Sequence, residues 1–274
     1  MSDLFFLIQE DIFGEETILL KNALDKHSIK HSSFIEGLNG AATVFPRGSI
    51  EFIEDFERSW GEYCCSYGLT INNYDYCAYS KPINHLMVNN EFIVLPWWKL
   101  EKSLSLISKL FGDRFFIRPN SGKKIFTGTT LGLKHFYKEL DIIKNLPSSS
   151  IKEEDLVVIA KEQKIDSEYR LLMHNNKIIS YSLYKEIPES NYNDEKLFDY
   201  LKSYQEDKDQ IEKDFSNIVS EIKNYPDLLY TLDIAFIGEE ARILELNSAV
   251  SAGWYDMDYE KVVKYLVEIN EAEE

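Results

Sequence analysis

The stretch LLYTLDIAFIGEEARILELN, residues 228–247, has the pattern of two β-strands joined by a turn. Apolar side chains alternate with other residues in both runs, as they do in strands that bury one face. One face of the first run carries Thr231, Asp233 and Ala235, and one face of the second carries Ile243, Glu245 and Asn247. The register of the two strands decides whether these polar side chains meet.

The register depends on the turn between the runs. A three-residue loop at residues 238–240 places Asp233 directly opposite Glu245. The same register places Asn247 opposite Thr231. A two-residue loop would place Asp233 opposite a leucine, because a slip of one residue exchanges the two faces of a strand. The alternation therefore predicts a three-residue loop and a cluster of two carboxylates and an amide.

This cluster has the chemistry of a cation site. Two carboxylates directly opposite each other repel, so we expect a positive charge between them. Two carboxylates and an amide suit Mg²⁺, which prefers oxygen ligands and often binds substrate phosphates as well. The loop SAVSAG, residues 248–253, follows at once, and its small residues let a ligand approach the backbone. We predict a metal site; the alternative is a polar face exposed to solvent.

A basic segment elsewhere in the chain has complementary chemistry. In RFFIRPNSGKK, residues 114–124, Arg118 ends an apolar run and Ser121 begins a loop that leads to Lys124. Guanidinium, ammonium, hydroxyl and backbone amide groups can neutralise and hold a polyphosphate. The GxxxxGK[ST] spacing of a Walker A loop is absent. The segment indicates a nucleotide site of another kind; the alternative is an ordinary basic hairpin on the surface.

The remaining patterns predict a mixed fold. Strands are predicted in residues 4–9, 30–37, 43–47, 89–96, 114–119 and 157–162, and a hairpin in residues 168–184 turns at Asn175–Asn176. Helical spacing is found in residues 16–28, 49–65, 99–112, 131–146, 194–224 and 259–274. A strand, a helix and a strand at the start of the chain favour a parallel α/β sheet. Turn-forming residues cluster near Asn72–Asn73.

The order of these motifs resembles an ATP-grasp domain. The basic segment is followed by VVIAKE at 157–162, by EYR at 168–170 and by the hairpin LDIAFI–GEE–ARILELN. The resemblance is in particular to the small phage and bacterial clade of that superfamily related to amide ligases, and it covers about residues 105–260. One departure concerns the residues after ELN, where this chain has SAVSAGW and relatives often have a Pro and a second Asn.

The resemblance implies an α/β plus α+β fold in three parts. An N-terminal parallel α/β domain of the pre-ATP-grasp kind would span residues 1–100. A two-lobed ATP-grasp fold would follow, with the small lobe and its phosphate loop at residues 101–160. The large lobe, with the metal-binding hairpin, would span residues 161–274.

The resemblance also implies the residues that contact ATP and metal. Adenine would pair with a hinge backbone at Ala160 and Lys161. The phosphates would be held by Arg118, Ser121 and Lys124. One or two Mg²⁺ ions would be held by Asp233, Glu245 and Asn247.

The acceptor side of the implied site is bordered by the loop after the hairpin. Ser251, Gly253 and Tyr255 would line the substrate pocket. Glu168 and Arg170 would act near ATP or a substrate carboxylate, Arg170 because its planar fork can bind two oxygens at once. A separate hypothesis is that FPRGS, residues 45–49, brings Arg47 to the cleft.

The activity implied is an ATP- and Mg²⁺-dependent carboxylate–amine ligase that acts through an acyl phosphate. Its substrates would be small-molecule or peptide carboxylates and amines. Two alternatives stay open: a nucleotide-binding regulatory or interaction module without ligase activity, and a phosphotransferase on the same fold.

Composition narrows the classes of protein that fit. The formal net charge of −17 over 274 residues argues against a protein that binds nucleic acid through a broad basic surface. Cys64, Cys65 and Cys77 lack the spacing of a disulfide framework or a zinc site, so we expect reduced thiols. The N-terminus has no basic leader, and no apolar run reaches the ~20 residues that span a bilayer. A cytoplasmic protein is the simplest expectation.

Overall fold

The computed structural model describes residues 4–34, 43–65, 74–146, 149–186, 195–223 and 228–273. Its first sheet is parallel, with the order β2-β1-β3, and confirms the predicted α/β opening. The strands are β1 (Leu4–Ile8), β2 (Lys30–Ser32) and β3 (Thr43–Arg47), and the helices are α1 (Glu15–Lys26) and α2 (Ile50–Trp60). All five residues of β1 are buried, as expected for the central strand of a covered sheet. The second half of the predicted strand 30–37 and the turn near Asn72–Asn73 lie outside the described residues.

The second sheet is antiparallel, with the order β4-β7-β5-β6. Its strands are β4 (Phe92–Pro96), β5 (Arg114–Pro119), β6 (Thr129–Gly132) and β7 (Leu156–Lys161). Between the first and second sheets lies a short helix, α3 (Tyr76–Ser80), and the second sheet packs against α4 (Leu104–Phe111) and α5 (Phe136–Lys144). The helix predicted from residue 131 begins only at Phe136, because residues 129–132 pair with β5 instead. Strand β4 belongs to this sheet, although the sequence assigned residues up to 100 to the N-terminal domain.

The third sheet is antiparallel, with the order β11-β10-β8-β9. Its strands are β8 (Ser167–His174), β9 (Lys177–Glu186), β10 (Leu229–Ile237) and β11 (Glu240–Ser248). The predicted helical region 194–224 forms two helices, α6 (Glu195–Glu206) and α7 (Lys208–Glu221), and α8 (Tyr259–Glu273) follows the sheet. The break comes at Asp207, whose carboxylate accepts the backbone N–H of Gln210 and so caps α7.

Strands β10 and β11 form the predicted hairpin in a different way. Asp233 pairs with Glu245 and Thr231 pairs with Asn247, as expected. The loop, however, is a two-residue turn, since Ile237 pairs with Glu240, and a bulge between Asp233 and Ile234 restores the register. The three-residue loop was therefore wrong, while the pairing that it predicted was right.

Two expectations from composition concern membranes and thiols. Across the described ranges, no helix combines the length and the apolar character needed to cross a membrane. All three cysteines are free thiols, as predicted. Burial raises the pKa of the Cys64 thiol to about 12, so this thiol is unreactive near neutral pH.

Candidate active site

A cleft of about 1010 Å³ lies between the second and third sheets. It is lined by β5 and the loop after it, by residues 162–165, and by the third sheet and the loop that follows β11. Its basic side chains are Arg118, Lys124, Lys164, Arg170 and Lys185, and its acidic ones are Glu162, Glu168 and Glu245. A chain with a net charge of −17 thus has more basic than acidic side chains in this cleft. Such a lining favours an anionic ligand.

Arg118 ends β5 and reaches across the cleft to β11. Its Nη2 lies 2.8 Å from Oε2 of Glu245, and its guanidinium lies over the ring of Tyr76 at 4.8 Å. The amide of Asn247 donates to the other oxygen of Glu245 over 3.0 Å. Burial raises the pKa of Glu245, but the charges of Arg118 and Lys124 outweigh this effect and lower the pKa to about 2. Glu245 is therefore ionised at every physiological pH.

Lys124 lies in the loop after β5 in a left-handed conformation, with φ of 50°. This conformation is costly for a residue with a side chain and is often found where function requires it. Desolvation within the cleft lowers the pKa of Lys124, while the attraction of Glu245 opposes the shift. Ser121 lines the same loop, and its hydroxyl accepts the N–H of Lys123 over 3.1 Å. Arg118, Ser121 and Lys124 thus lie in one cleft, as the sequence predicted.

Asp233 is bound by an arginine. Nε and Nη2 of Arg170 donate to its two oxygens over 2.7 and 2.6 Å, and both side chains are buried. The positive charge expected beside Asp233 is therefore the guanidinium of its neighbour on β8, which pairs with it across the sheet. The expectation that Arg170 offers a free fork to a substrate carboxylate was wrong, because Asp233 occupies that fork.

The cluster fits Mg²⁺ only in part. Glu245 lines the cleft, and Asn247 contacts it; a carboxylate and an amide together with substrate phosphates are a usual Mg²⁺ environment. Asp233 does not fit, because its side chain has no exposed surface and Arg170 holds both of its oxygens. Within the described part of the chain, no group of three or more His, Cys, Asp or Glu side chains is arranged to hold a metal ion.

The hinge lies slightly later in the chain than predicted. Ala160 is fully buried in β7, with β4 on one side and β5 on the other, so its backbone groups face neighbouring strands. Neither Ala160 nor Lys161 lines the cleft; residues 162–165, which connect β7 to β8, do. The prediction of Ala160 and Lys161 as adenine contacts was therefore wrong, because the sheet continues through both residues.

Glu168 lies in a small polar network at one side of the cleft. It is buried, forms an ion pair with Lys185 and accepts the hydroxyl of Tyr184 over 2.7 Å. The sequence did not reveal Tyr184 or Lys185. Counting back from the turn at Asn175–Asn176 does not bring Lys185 opposite Glu168, because two register shifts intervene between β8 and β9.

The loop after β11 forms the opposite border of the cleft. Gly253 and Tyr255 line it, as predicted, and the carbonyl of Gly253 accepts Nη1 of Arg170 over 3.1 Å. The ring of Tyr255 stacks on Tyr184, with centroids 4.8 Å apart and planes 4° apart. Ser251 does not line the cleft; its N–H turns back to the carbonyl of Ser248.

Comparison with known proteins gives a consistent picture of the fold. The model of an ATP-grasp domain family, the second family of its clade, matches residues 103–265. A D-alanine–D-alanine ligase from Bacillus anthracis is 14% identical, with a TM-score of 0.57 and 100% of both chains covered. The D-cycloserine synthetase DcsG is 10% identical, with a TM-score of 0.59, 97% of this chain and 99% of the other covered.

A third similar structure is the ATP-grasp ligase PsnB complexed with a minimal precursor. It is 12% identical, with a TM-score of 0.56, and 98% of this chain and 100% of PsnB are covered. The B. anthracis ligase has also been solved with ATP, and PsnB with Mg and ADP. The search of curated protein sequences returned no match. The family model spans more than half of the chain, including most of the residues that line the cleft, and the chain belongs to this family of ATP-grasp domains.

Proposed function

We propose that this chain is an ATP- and Mg²⁺-dependent ligase that joins a carboxylate to an amine. The observation that carries the proposal is the convergence of Arg118 and Lys124 on Glu245 in the cleft of an ATP-grasp fold. Phosphoryl transfer depends mainly on alignment and charge neutralisation, which are what such an arrangement supplies. Membership of the family supports ATP as the nucleotide.

The loop after β5 and the end of β5 hold the phosphates. Nε of Arg118 is buried and makes no hydrogen bond within the described residues, so a donor remains for a phosphate oxygen. The hydroxyl of Ser121 and the ammonium of Lys124 border the same space. Gly128 in this loop has no room for a side chain, since a Cβ would come within 2.7 Å of Cζ of Phe116. Adenine lies against residues 162–165 and the side chain of Leu244, which also line the cleft.

Glu245 and Asn247 are the proposed ligands of Mg²⁺. Bound there, the ion bridges phosphate oxygens and neutralises part of their charge. Asp233 contributes indirectly in this proposal, by keeping Arg170 charged and in place beside Glu245, whose Oε1 lies 3.9 Å from Nη2 of Arg170.

The reaction proceeds in two steps that balance. A substrate carboxylate oxygen attacks the γ-phosphorus of ATP, the bond to the β-phosphate oxygen breaks, and ADP leaves with an acyl phosphate formed. The amine then attacks the acyl carbon, a carbon–nitrogen bond forms, and inorganic phosphate leaves while the amine loses a proton. Arg118 and Lys124 stabilise the negative charge of the first step.

The substrates proposed are a small-molecule or peptide carboxylate and an amine. They lie between the phosphate loop and the border formed by Gly253 and Tyr255. Both sizes of substrate have parallels among proteins of this fold, since PsnB has been solved with a precursor peptide and the D-alanine–D-alanine ligase is named for an amino acid.

The first test separates nucleotide binding from stability. We expect ATP with Mg²⁺ at ~100 times its Kd to add about 2.7 kcal/mol to the free energy of unfolding, relative to Mg²⁺ alone. Glu245→Gln should abolish this shift while the protein stays folded. Asp233→Asn should instead destabilise the free protein by roughly 3 kcal/mol, because it leaves the buried Arg170 unpaired. Glu240→Gln, an exposed acid on the same strand paired with Arg242, is the control.

The second test identifies the reaction. Incubation with ATP, Mg²⁺, hydroxylamine and a panel of amino-acid and peptide carboxylates should give hydroxamates, since hydroxylamine attacks acyl phosphates. A melting shift without ADP release across the panel would overturn the ligase in favour of a binding module. A phosphorylated product that resists hydroxylamine would indicate a phosphotransferase.

A further inference from the structure

Arg47 is a buried arginine that lies neither in the cleft nor in the family match at residues 103–265. It ends β3 of the first sheet, and only 2% of its side chain is exposed. The hypothesis that Arg47 reaches the cleft was therefore wrong. Its guanidinium instead contacts the loop that borders the cleft, residues 249–254.

The guanidinium holds the start of this loop. Its Nη1 donates to the carbonyls of Ala249 and Val250 over 3.2 and 3.1 Å. The neighbouring Gly48 adds a backbone hydrogen bond to the carbonyl of Val250 over 3.1 Å. The end of β3 and the turn after it thus fix two successive carbonyls of the loop.

The end of the loop is held by the same group of residues. Arg47 lies between the rings of Phe13 and Trp254, 3.9 and 4.2 Å from their centroids. Glu16, at the start of α1, accepts the backbone N–H of Trp254 over 2.6 Å and lies 3.4 Å from Nη2 of Arg47. Both ends of the loop are therefore anchored to the N-terminal sheet and helix.

The opposite side of the loop faces the cleft. The carbonyl of Gly253 accepts Nη1 of Arg170, and Tyr255 follows with a left-handed φ of 52°. The guanidinium of Arg170 lies 5.1 Å from the ring of Tyr255. Any shift in residues 249–254 would therefore move Gly253 and Tyr255 relative to Arg170.

A charged side chain is a costly way to fill a buried space unless it orients something. Apolar residues of similar volume often give equal or greater stability than buried ion pairs. Burial lowers the pKa of Arg47 to about 10 while Glu16 opposes the shift, so the side chain stays charged at neutral pH. Its donors point at particular carbonyls, which fixes a loop conformation as an apolar side chain would not.

We infer that Arg47 is a positioning residue through which the N-terminal domain sets the acceptor border of the cleft. It acts on Gly253 and Tyr255 through residues 249–254 and touches no substrate. The acceptor role of this border rests on the proposed function; the anchoring of the loop does not. The phosphate-binding side of the cleft, built by β5 and its loop, makes no contact with Arg47 among the interactions described above.

The test compares Arg47→Met, Arg47→Lys and Arg58→Met in the full chain. Met retains apolar volume, Lys retains the charge, and Arg58 is an exposed arginine of α2 in the same domain. Hydrogen exchange is measured for the amides of residues 251–255 and for the rest of the chain, and Kd is measured for ATP with Mg²⁺. For Arg47→Met we expect exchange in 251–255 to be faster by ~10-fold or more, a Kd for ATP within ~3-fold of wild type, and partial rescue in Arg47→Lys.

Two results would overturn the inference. One is exchange in 251–255 that rises no more than elsewhere, which would make Arg47 a general stabiliser of the domain interface. The other is a Kd for ATP that weakens as much as the loop loosens, which would place its effect on the whole cleft. Failure of the wild type to bind ATP would instead count against the proposed function, and the exchange data would still decide whether Arg47 anchors the loop.

Discussion

Glu245 is a carboxylate that stays charged because its partners are positive and directional. Its two oxygens bind Arg118 and Asn247, with Lys124 close by, and 21% of its side chain remains exposed to the cleft. Asp233, directly opposite in the hairpin, is buried instead and is bound by Arg170. Two acids at paired positions thus have different roles, which their environments decide.

The low pKa of Glu245 predicts a specific dependence of stability on pH. Its pKa is about 2 in the folded protein and 4.5 ordinarily, so its ion pairs stabilise the fold fully above pH 4.5 and lose this effect as pH falls towards 2. The difference in unfolding free energy between wild type and Glu245→Gln should therefore shrink between about pH 5 and pH 2, by up to about 3 kcal/mol. Urea unfolding at several pH values measures it.

The matched comparison is Glu240→Gln, whose carboxylate is exposed and pairs with Arg242 on the surface. Its difference from wild type should stay below about 1 kcal/mol throughout this range. A constant difference for Glu245→Gln would show that Arg118 and Lys124 do not lower the pKa of Glu245.

At the scale of elements, the bulge in β11 explains why this hairpin has a two-residue turn. A three-residue loop without a bulge would place Ile243 on the face of Asp233. The bulge instead pairs Ile243 with Ile234, and both are fully buried in one core cluster with Phe236. Full burial of an isoleucine contributes roughly 1.5–3 kcal/mol, which outweighs the loss of one regular ladder step. Leu244 is thereby turned to the cleft.

This geometry predicts opposite effects for two leucines of β11. Leu244→Ala should weaken ATP binding roughly fivefold and change stability little, because Leu244 lines the cleft. Leu246→Ala should cost about 2–5 kcal/mol and leave the ATP affinity of the folded protein unchanged, because Leu246 is buried in the core. Urea unfolding with and without ATP and Mg²⁺ distinguishes the two. Equal effects of both substitutions would contradict the assignment of the bulge.

At the scale of the molecule, one hydrophobic core joins the two ends of the chain. Residues of β1, α1 and β3 pack with α8, with the loop after β11 and with one face of the third sheet. We propose that the N-terminal domain ends before Phe92, since β4 belongs to the second sheet. Because α8 packs on the N-terminal sheet, the first domain and the large lobe depend on the same buried surface.

A shared core predicts cooperative unfolding. Leu266 of α8 is fully buried in this cluster, so Leu266→Ala should cost about 2–5 kcal/mol. The loss should appear as one transition with the same midpoint by tryptophan fluorescence and by far-UV circular dichroism. Lys264→Ala, exposed on the same helix, serves as the control. Separate midpoints for the two probes would show that the N-terminal domain unfolds independently.

The elements of the cleft could be predicted from local properties of the sequence. Alternating side chains and turn residues predicted both antiparallel hairpins, and the basic run after residue 114 predicted the loop that carries Arg118 and Lys124 to the cleft. Asp233 and Glu245 were expected to meet because their spacing from one turn decides their pairing. These features follow from backbone geometry over a few neighbouring residues.

Other features depend on which segments become neighbours in the fold. Arg170 neutralises Asp233 because β8 and β10 pair, and Ala160 is hidden because β4 and β5 flank β7 on both sides. Arg47 reaches the loop at residue 249 from about 200 positions earlier in the chain. The sequence alone determined which elements form and which side chains share a face. Only the tertiary structure decided the partners of each charge, because those partners lie far apart along the chain and are brought together by packing.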